Sequence, residues 1–200
     1  MKPYSFWQGC LLFAMVLIQP LPSAAQVDEA VDKLKALKNA VKDELKVEPI
    51  DYEKLKSVLP KRFKGLKRTD LFGERASAFG LKISYARAEY RGKKGGRVRI
   101  KVTDTGNVRK LASTAMAAWL TADIQRSSDD GFERTFEYQG HRAFAKYSKS
   151  KEAGELKVLA ADRFLVEIEG KGVEMETVTA AMKKIKIKKL VKWRDEGVQK

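Results

Sequence analysis

The run from Glu155 to Leu190 constrains the fold more than any other part of the chain. Its first half, ELKVLAADRFLVEIEG, reads as two strands joined by a tight turn near Asp162. Its second half, KGVEMETVTAAMKKIKIKKL, reads as an amphipathic helix, with Met175, Val178, Met182 and Ile185 on one face. A strand pair needs one face covered, and an amphipathic helix needs a surface to cover. The segment therefore predicts a sheet with a helix laid across it.

Other stretches supply more strands. Val98, Ile100 and Val102 alternate with Arg97, Arg99 and Lys101, so one side of that strand is core and the other basic and wet. Phe132, Arg134, Phe136 and Tyr138 alternate with Glu133, Thr135 and Glu137. Gln139-Gly140 turns the chain, and His141 to Tyr147 returns. Leu81, Ile83 and Tyr85 alternate, but Ala86, Ala88 and Tyr90 continue out of phase, which predicts a bulge or a strand buried on both faces. Phe63 to Glu74 reads as a short strand or two. Gly92-Lys93-Lys94-Gly95-Gly96 and Gly170-Lys171-Gly172 read as hairpin turns.

Three further helices are expected. Val27 to Lys46 carries apolar residues at three- and four-residue steps. Asp51 is placed to cap a shorter helix that stops at Pro60, and Val108 to Ile124 is alanine-rich with Trp119 as its large anchor. The expected fold class is α+β: a mostly antiparallel sheet of about six or seven strands packed with helices, plus an N-terminal amphipathic helix. The expected core gathers Val98, Ile100, Val102, Trp119, Phe136, Tyr138, Phe164, Val166, Ile168, Val178 and Met182 into one cluster. The expected organisation is a signal peptide over 1–25, a helical segment over 26–59 and a single α+β domain over 60–200.

The signal-peptide expectation rests on order rather than composition. Lys2 is followed by the apolar run Cys10–Ile18, by Pro20 and Pro22, and by Ser23-Ala24-Ala25. That is the layout read by a signal peptidase, and the apolar run is shorter than the ~20 residues a membrane span takes. Cys10 precedes the apolar core, where a lipid-modified cysteine would follow it. Cleavage after Ala25 leaves a chain with no cysteine and no transmembrane span. That excludes disulfides, thiolate metal sites and a cysteine nucleophile from the mature domain. The expected location is the periplasm or the exterior.

Few groupings point to catalysis. Asp104-Thr105-Gly106 has the composition of an aspartic-protease triplet, but it occurs once and precedes a helical pattern, so a capped turn is the simpler reading. His141 is the one histidine and has no partners at metal-ligand spacing. Ser127, Ser128, Asp129 and Asp130 supply triad residue types without a nucleophile-elbow pattern. The pairs Glu133/Glu137 and Glu167/Glu169 each share a strand face, as in a glycosidase or in any solvated strand. No catalytic residue, metal site or cofactor is assigned.

The charge is the distinctive feature. The formal net charge is +15. Basic residues gather in Lys61–Arg68, Arg91–Lys101 and Lys183–Arg194. The candidate anion-binding residues are Arg97, Arg99, Lys101, Lys184, Lys186, Lys188 and Lys189. The functional expectation is an exported, non-enzymatic binding domain of a bacterial envelope. Its partner would be an anionic lipid, an acidic polysaccharide or an acidic envelope protein. Tyr85 and Tyr90 are candidate aromatics beside the charges, as a nucleic-acid reader needs, but export argues against that use. Two alternatives are a structural or assembly protein joined to its partner through the 27–46 helix, and a hydrolase with an unrecognised site.

Overall fold

The structure is a computed structural model that describes residues 47–78, 81–92, 95–106 and 116–198. The expected signal peptide, the 27–46 helix and residues 108–115 of the 108–124 helix lie outside the described residues. Within them the chain runs α1 (Tyr52–Lys56), β1 (Arg62–Phe63), β2 (Leu66–Ala78), β3 (Leu81–Arg91), β4 (Arg97–Asp104), α2 (Ala117–Leu120), β5 (Gln125–Ser128), β6 (Gly131–Tyr138), β7 (His141–Ser148), β8 (Ala153–Ala160), β9 (Phe164–Lys171), α3 (Met175–Lys184) and α4 (Ile187–Lys192). The strands form one antiparallel sheet in the order β1-β2-β3-β4-β9-β8-β7-β6-β5. Two meanders meet at the β4–β9 seam.

The sheet has nine strands rather than six or seven. The edge strand β5 is missing from the sequence reading, and β1 at the other edge falls at the start of the stretch read as a short strand or two. β1 is two residues long, and the four residues of β5 are all exposed, so neither shows an apolar alternation. The expected bulge in β3 is not there. Ser84, Ala86, Ala88 and Tyr90 form one continuous buried face, and the register shift falls in β2, between Arg68 and Asp70. Gly170 and Lys171 are the end of β9 rather than a hairpin turn.

One face of the sheet carries the main core. Tyr90, Val98, Ile100, Val102, Val158, Val166 and Ile168 pack beneath Leu55, Val58, Val178, Met182, Ile187 and Leu190 from the chain around α1 and from α3 and α4. Asp51 caps α1 by accepting a hydrogen bond from the Glu53 N–H at 2.7 Å. Close approach of α3 depends on Gly154 and Gly170, which are paired across β8 and β9. A Cβ on Gly170 would lie 2.6 Å from the Val173 side chain and 2.7 Å from Val178. The C-terminal helix is broken in two. Ile185 has extended backbone, and Ile185 and Ile187 are both buried with Lys186 exposed between them, a period of two rather than 3.6.

Trp119 leaves the expected single core. It sits on the opposite face of the sheet in a smaller cluster with Phe144 and Leu159, its ring centroid 6.4 Å from that of Phe144. The other expected core residues lie in the main cluster or, for Phe136 and Tyr138, partly buried against it. The helix expected to reach Ile124 stops at Leu120. The Ile124 N–H donates to the Thr135 hydroxyl at 2.9 Å, and Ile124 accepts from the Thr135 N–H, so the chain is already held by the sheet there.

The ends of the described chain are tied through a buried ion pair. Asp104 ends β4, and Arg163 precedes β9 in the tight turn whose Ala161 and Asp162 both have left-handed backbone. Both side chains are fully buried, and the guanidinium meets the carboxylate twice, at 2.8 Å from Nε and 2.8 Å from Nη2. Nη1 donates to the carbonyls of Arg194 and Glu196 at 2.7 and 2.6 Å. The carboxylate also accepts from the N–H groups of Ile50 and Gly106, each at 2.8 Å. Removing one member of such a pair strands a buried charge. Arg163→Leu is expected to lower unfolding stability by ~3–5 kcal/mol in a urea titration. A loss below ~1 kcal/mol would mean the pair is not needed for the fold.

A second tie is exposed. Asp130, in the β5–β6 turn, holds the β7–β8 turn by accepting from the Ser150 N–H and the Ser148 hydroxyl, each at 2.8 Å. Hydrogen bonds from Ser150, then Ser148, push its carboxyl down to about 2. A carboxyl depressed on folding adds stability above its unfolded pKa and loses it as pH falls through the folded value. Stability is expected to drop between about 3.8 and about 2. Asp130→Asn should remove that part of the acid limb when urea midpoints are compared across pH.

Candidate anion-binding surface

The face of the sheet opposite the main core carries the charged side chains of β2 to β9. Its character is set by cross-strand register, because residues paired across an antiparallel sheet point to the same side. One row of partners runs straight across five strands. Arg62 of β1 pairs with Lys67 of β2, Lys67 with Arg91 of β3, Arg91 with Arg97 of β4, and Arg97 with Lys171 of β9. All five are exposed. Strands lie ~4.8 Å apart, so the row is a line of five cations about 19 Å long.

Two hairpins build this row. Lys64 and Gly65 form the β1–β2 turn, both with left-handed backbone, which sets Arg62 opposite Lys67. The Gly92 N–H donates to the Gly96 carbonyl at 3.0 Å and closes the β3–β4 turn, which sets Arg91 opposite Arg97. From the core side the row is backed by Phe63 and Tyr90, whose ring centroids are 4.8 Å apart. The Tyr90 hydroxyl donates to the Pro60 carbonyl at 2.7 Å. Burial raises the pKa of that phenol, so it remains a hydrogen-bond donor.

The next row is different. Asp70, Glu89, Arg99, Glu169, Glu155, Lys146, Glu133 and Arg126 follow one another across eight strands. Arg99 donates to Glu89 at 2.6 Å and lies 3.7 Å from Glu169. Glu133 lies between Arg126 at 3.4 Å and Lys146 at 3.5 Å. In the row beyond, the Lys101 ammonium sits 4.9 Å over the Tyr85 ring. Burial lifts the Glu167 carboxyl above the usual range, while its neighbours Lys101 and Lys157 pull it down. The row from Asp70 to Arg126 holds five acids to three cations, and the row of Arg87, Lys101, Glu167 and Lys157 holds one acid to three cations, so the two rows together balance. Among the described residues, the five cations of the first row have no ion pair or hydrogen bond from their side chains.

The row ends at a cavity of about 440 Å³ lined by Arg62, Phe63, Lys64, Gly65, Leu66, Lys67 and Lys184. Lys184 comes from the last turn of α3, so the helical layer adds one cation to the hairpin end of the row.

The seven residues expected from sequence are therefore not one site. Arg97 belongs to the unpaired row. Arg99 and Lys101 share its sheet face but are engaged by Glu89, Glu169 and Tyr85. Lys184 joins at the cavity. Lys186, Lys188 and Lys189 are exposed on the helical layer, across the core from Arg97. Arg62, Lys67, Arg91 and Lys171 belong to the row and were not among the seven. Their signal in the sequence is position: Arg62/Lys67 and Arg91/Arg97 each flank a glycine-bearing turn.

The other groupings are also accounted for. Asp104 is the buried partner of Arg163, and Gly106 stays close because a Cβ there would lie 3.1 Å from the Asp104 carboxylate. His141 Nδ1 lies 3.5 Å from the Ala161 N–H. Among the described residues, no three potential metal ligands gather, and no helix is long and apolar enough to cross a membrane. Compared with known protein families, curated proteins and solved structures, the chain matches none.

Like charges directly opposite on a sheet destabilise it, by ~0.2–1 kcal/mol a pair. Arg97→Gln is expected to hold or raise the melting temperature at low salt. Arg99→Gln removes an attractive pair and is expected to lower it, by a similarly small amount. The difference should shrink as salt is added. Equal effects of the two changes in differential scanning fluorimetry would show that the row carries no repulsion.

Proposed function

We propose that the protein is an exported, non-enzymatic binding domain that holds an anionic partner at the cell envelope, along the row Arg62-Lys67-Arg91-Arg97-Lys171. The row is the observation that carries this reading. Five aligned cations repel one another and, among the described residues, have no carboxylate partner, whereas Arg99, Lys146 and Arg126 of the next row each have one. A surface that stays uncompensated at a cost to stability is explained by a counter-charge supplied from outside. Export is supported by the leader-like order of residues 1–25.

The test is retention of the purified protein on sulfated and carboxylated resins across a salt series. The protein should bind at low salt and elute at a defined ionic strength. Arg91→Glu with Arg97→Glu should elute much earlier than Arg99→Glu with Lys101→Glu, although both pairs change net charge equally. Equal shifts would mean that the protein is merely basic.

A further inference from the structure

We infer that the partner is a linear acidic polysaccharide, lying at right angles to the strands with one end at the cavity beside Lys184. The inference rests on the anion-binding reading above and narrows it.

The shape of the charge decides the class. The unpaired cations form a line one residue wide, about 19 Å long at ~4.8 Å per strand. The next row on the same face lies two residues along β3, β4 and β9 and three along the bulged β2, ~7 Å away. It contains Asp70, Glu89, Glu169 and Glu155. A flat anionic membrane laid on this face would press those carboxylates against its own charge, within a Debye length of ~8 Å. A single chain following the first row stays ~7 Å from them instead of lying directly over them. A linear polysaccharide bearing carboxylates, sulfates or phosphates repeats its anions along one line, so it can meet several cations of the row in succession. Among the described residues the exposed large apolar side chains are Phe72, Val191 and Val198; none belongs to the row, and Phe72 is the one that shares its sheet face, beside Arg87. The row also lacks the aromatic platform that single-stranded nucleic acid uses.

The cavity gives the line an end. Arg62 and Lys67 belong to both the row and the cavity, and Lys64 and Lys184 surround the same space. An anionic group there meets cations from the hairpin and from α3 together, whereas the Lys171 end of the row passes to Ala153 of β8, which carries no charge.

The experiment is titration of the purified protein with size-defined oligogalacturonates, from the disaccharide upward, followed by calorimetry at low salt. Phosphatidylglycerol vesicles and free phosphate form separate arms. Affinity should rise with each added sugar until the chain spans the row, at roughly five sugars, and then level off. Arg91→Gln, Arg97→Gln and Lys184→Gln should each weaken binding of the longer oligomers several-fold, and Arg99→Gln by less than about twofold. All four positions are exposed, and melting curves should show that the variants remain folded. Affinity that does not grow with length, or an equal loss in Arg99→Gln, overturns the linear-chain assignment. Binding to vesicles without binding to oligosaccharides overturns it in favour of lipid and leaves the anion-binding reading standing. No binding to any of these anions at low salt overturns both.

Discussion

The structure depends on a charge that never meets water. Arg163 is buried with Asp104, and between them they gather the segment at Glu48–Ile50, the end of β4, the β8–β9 turn and the carbonyls after α4. A buried ion pair is weak grounds for stability unless its remaining donors and acceptors are satisfied. Here each guanidinium nitrogen donates and each carboxylate oxygen accepts twice. The pair fixes the place where the two meanders join, because Asp104 and Phe164 are register partners at the β4–β9 seam. The sheet could be shifted by one residue only by exposing its apolar set and leaving that charge unmatched.

The same seam gives the sheet its two characters. On the core side, small residues bring the layers together: Ala86, Ala88, Gly154 and Gly170 lie beneath larger side chains from the helices. On the other side, register sorts the charges into rows, and sorting decides what each charge can do. Arg99 and Arg97 are two residues apart on one strand, yet one has carboxylates on both sides and the other has cations. Composition treats them as equals.

Much of the sheet was legible from period-two alternation, since β4, β8 and β9 each bury alternate residues at their centres. The cap at Asp51 was legible because its chemistry is local. What periodicity could not show was of three kinds. β1 and β5 bury too little to leave a pattern. Trp119 was assigned to the wrong face, because hydrophobicity marks a residue as buried without saying on which side of a sheet. Arg163 passed unremarked, because a buried arginine looks in sequence like any surface arginine. The basic runs were visible, but their assembly needed the strand order. Lys171 is brought beside Arg97 only because β9 pairs with β4 across an interval of more than sixty residues.

That long interval also sets an order of events. The carbonyls that receive the buried guanidinium come from Trp193, Arg194 and Glu196, while its carboxylate sits on Asp104 and the opposite end of the tie is Glu48. Val47 bridges Val198, and the Glu48 N–H donates to the Gly197 carbonyl. A chain emerging from the ribosome cannot close this knot until its last turn has been made, and contacts so distant in sequence form late and slowly. The tie between Arg163 and the carbonyls after α4 therefore closes only once residues 193–196 have been made, whatever the two meanders have formed before then.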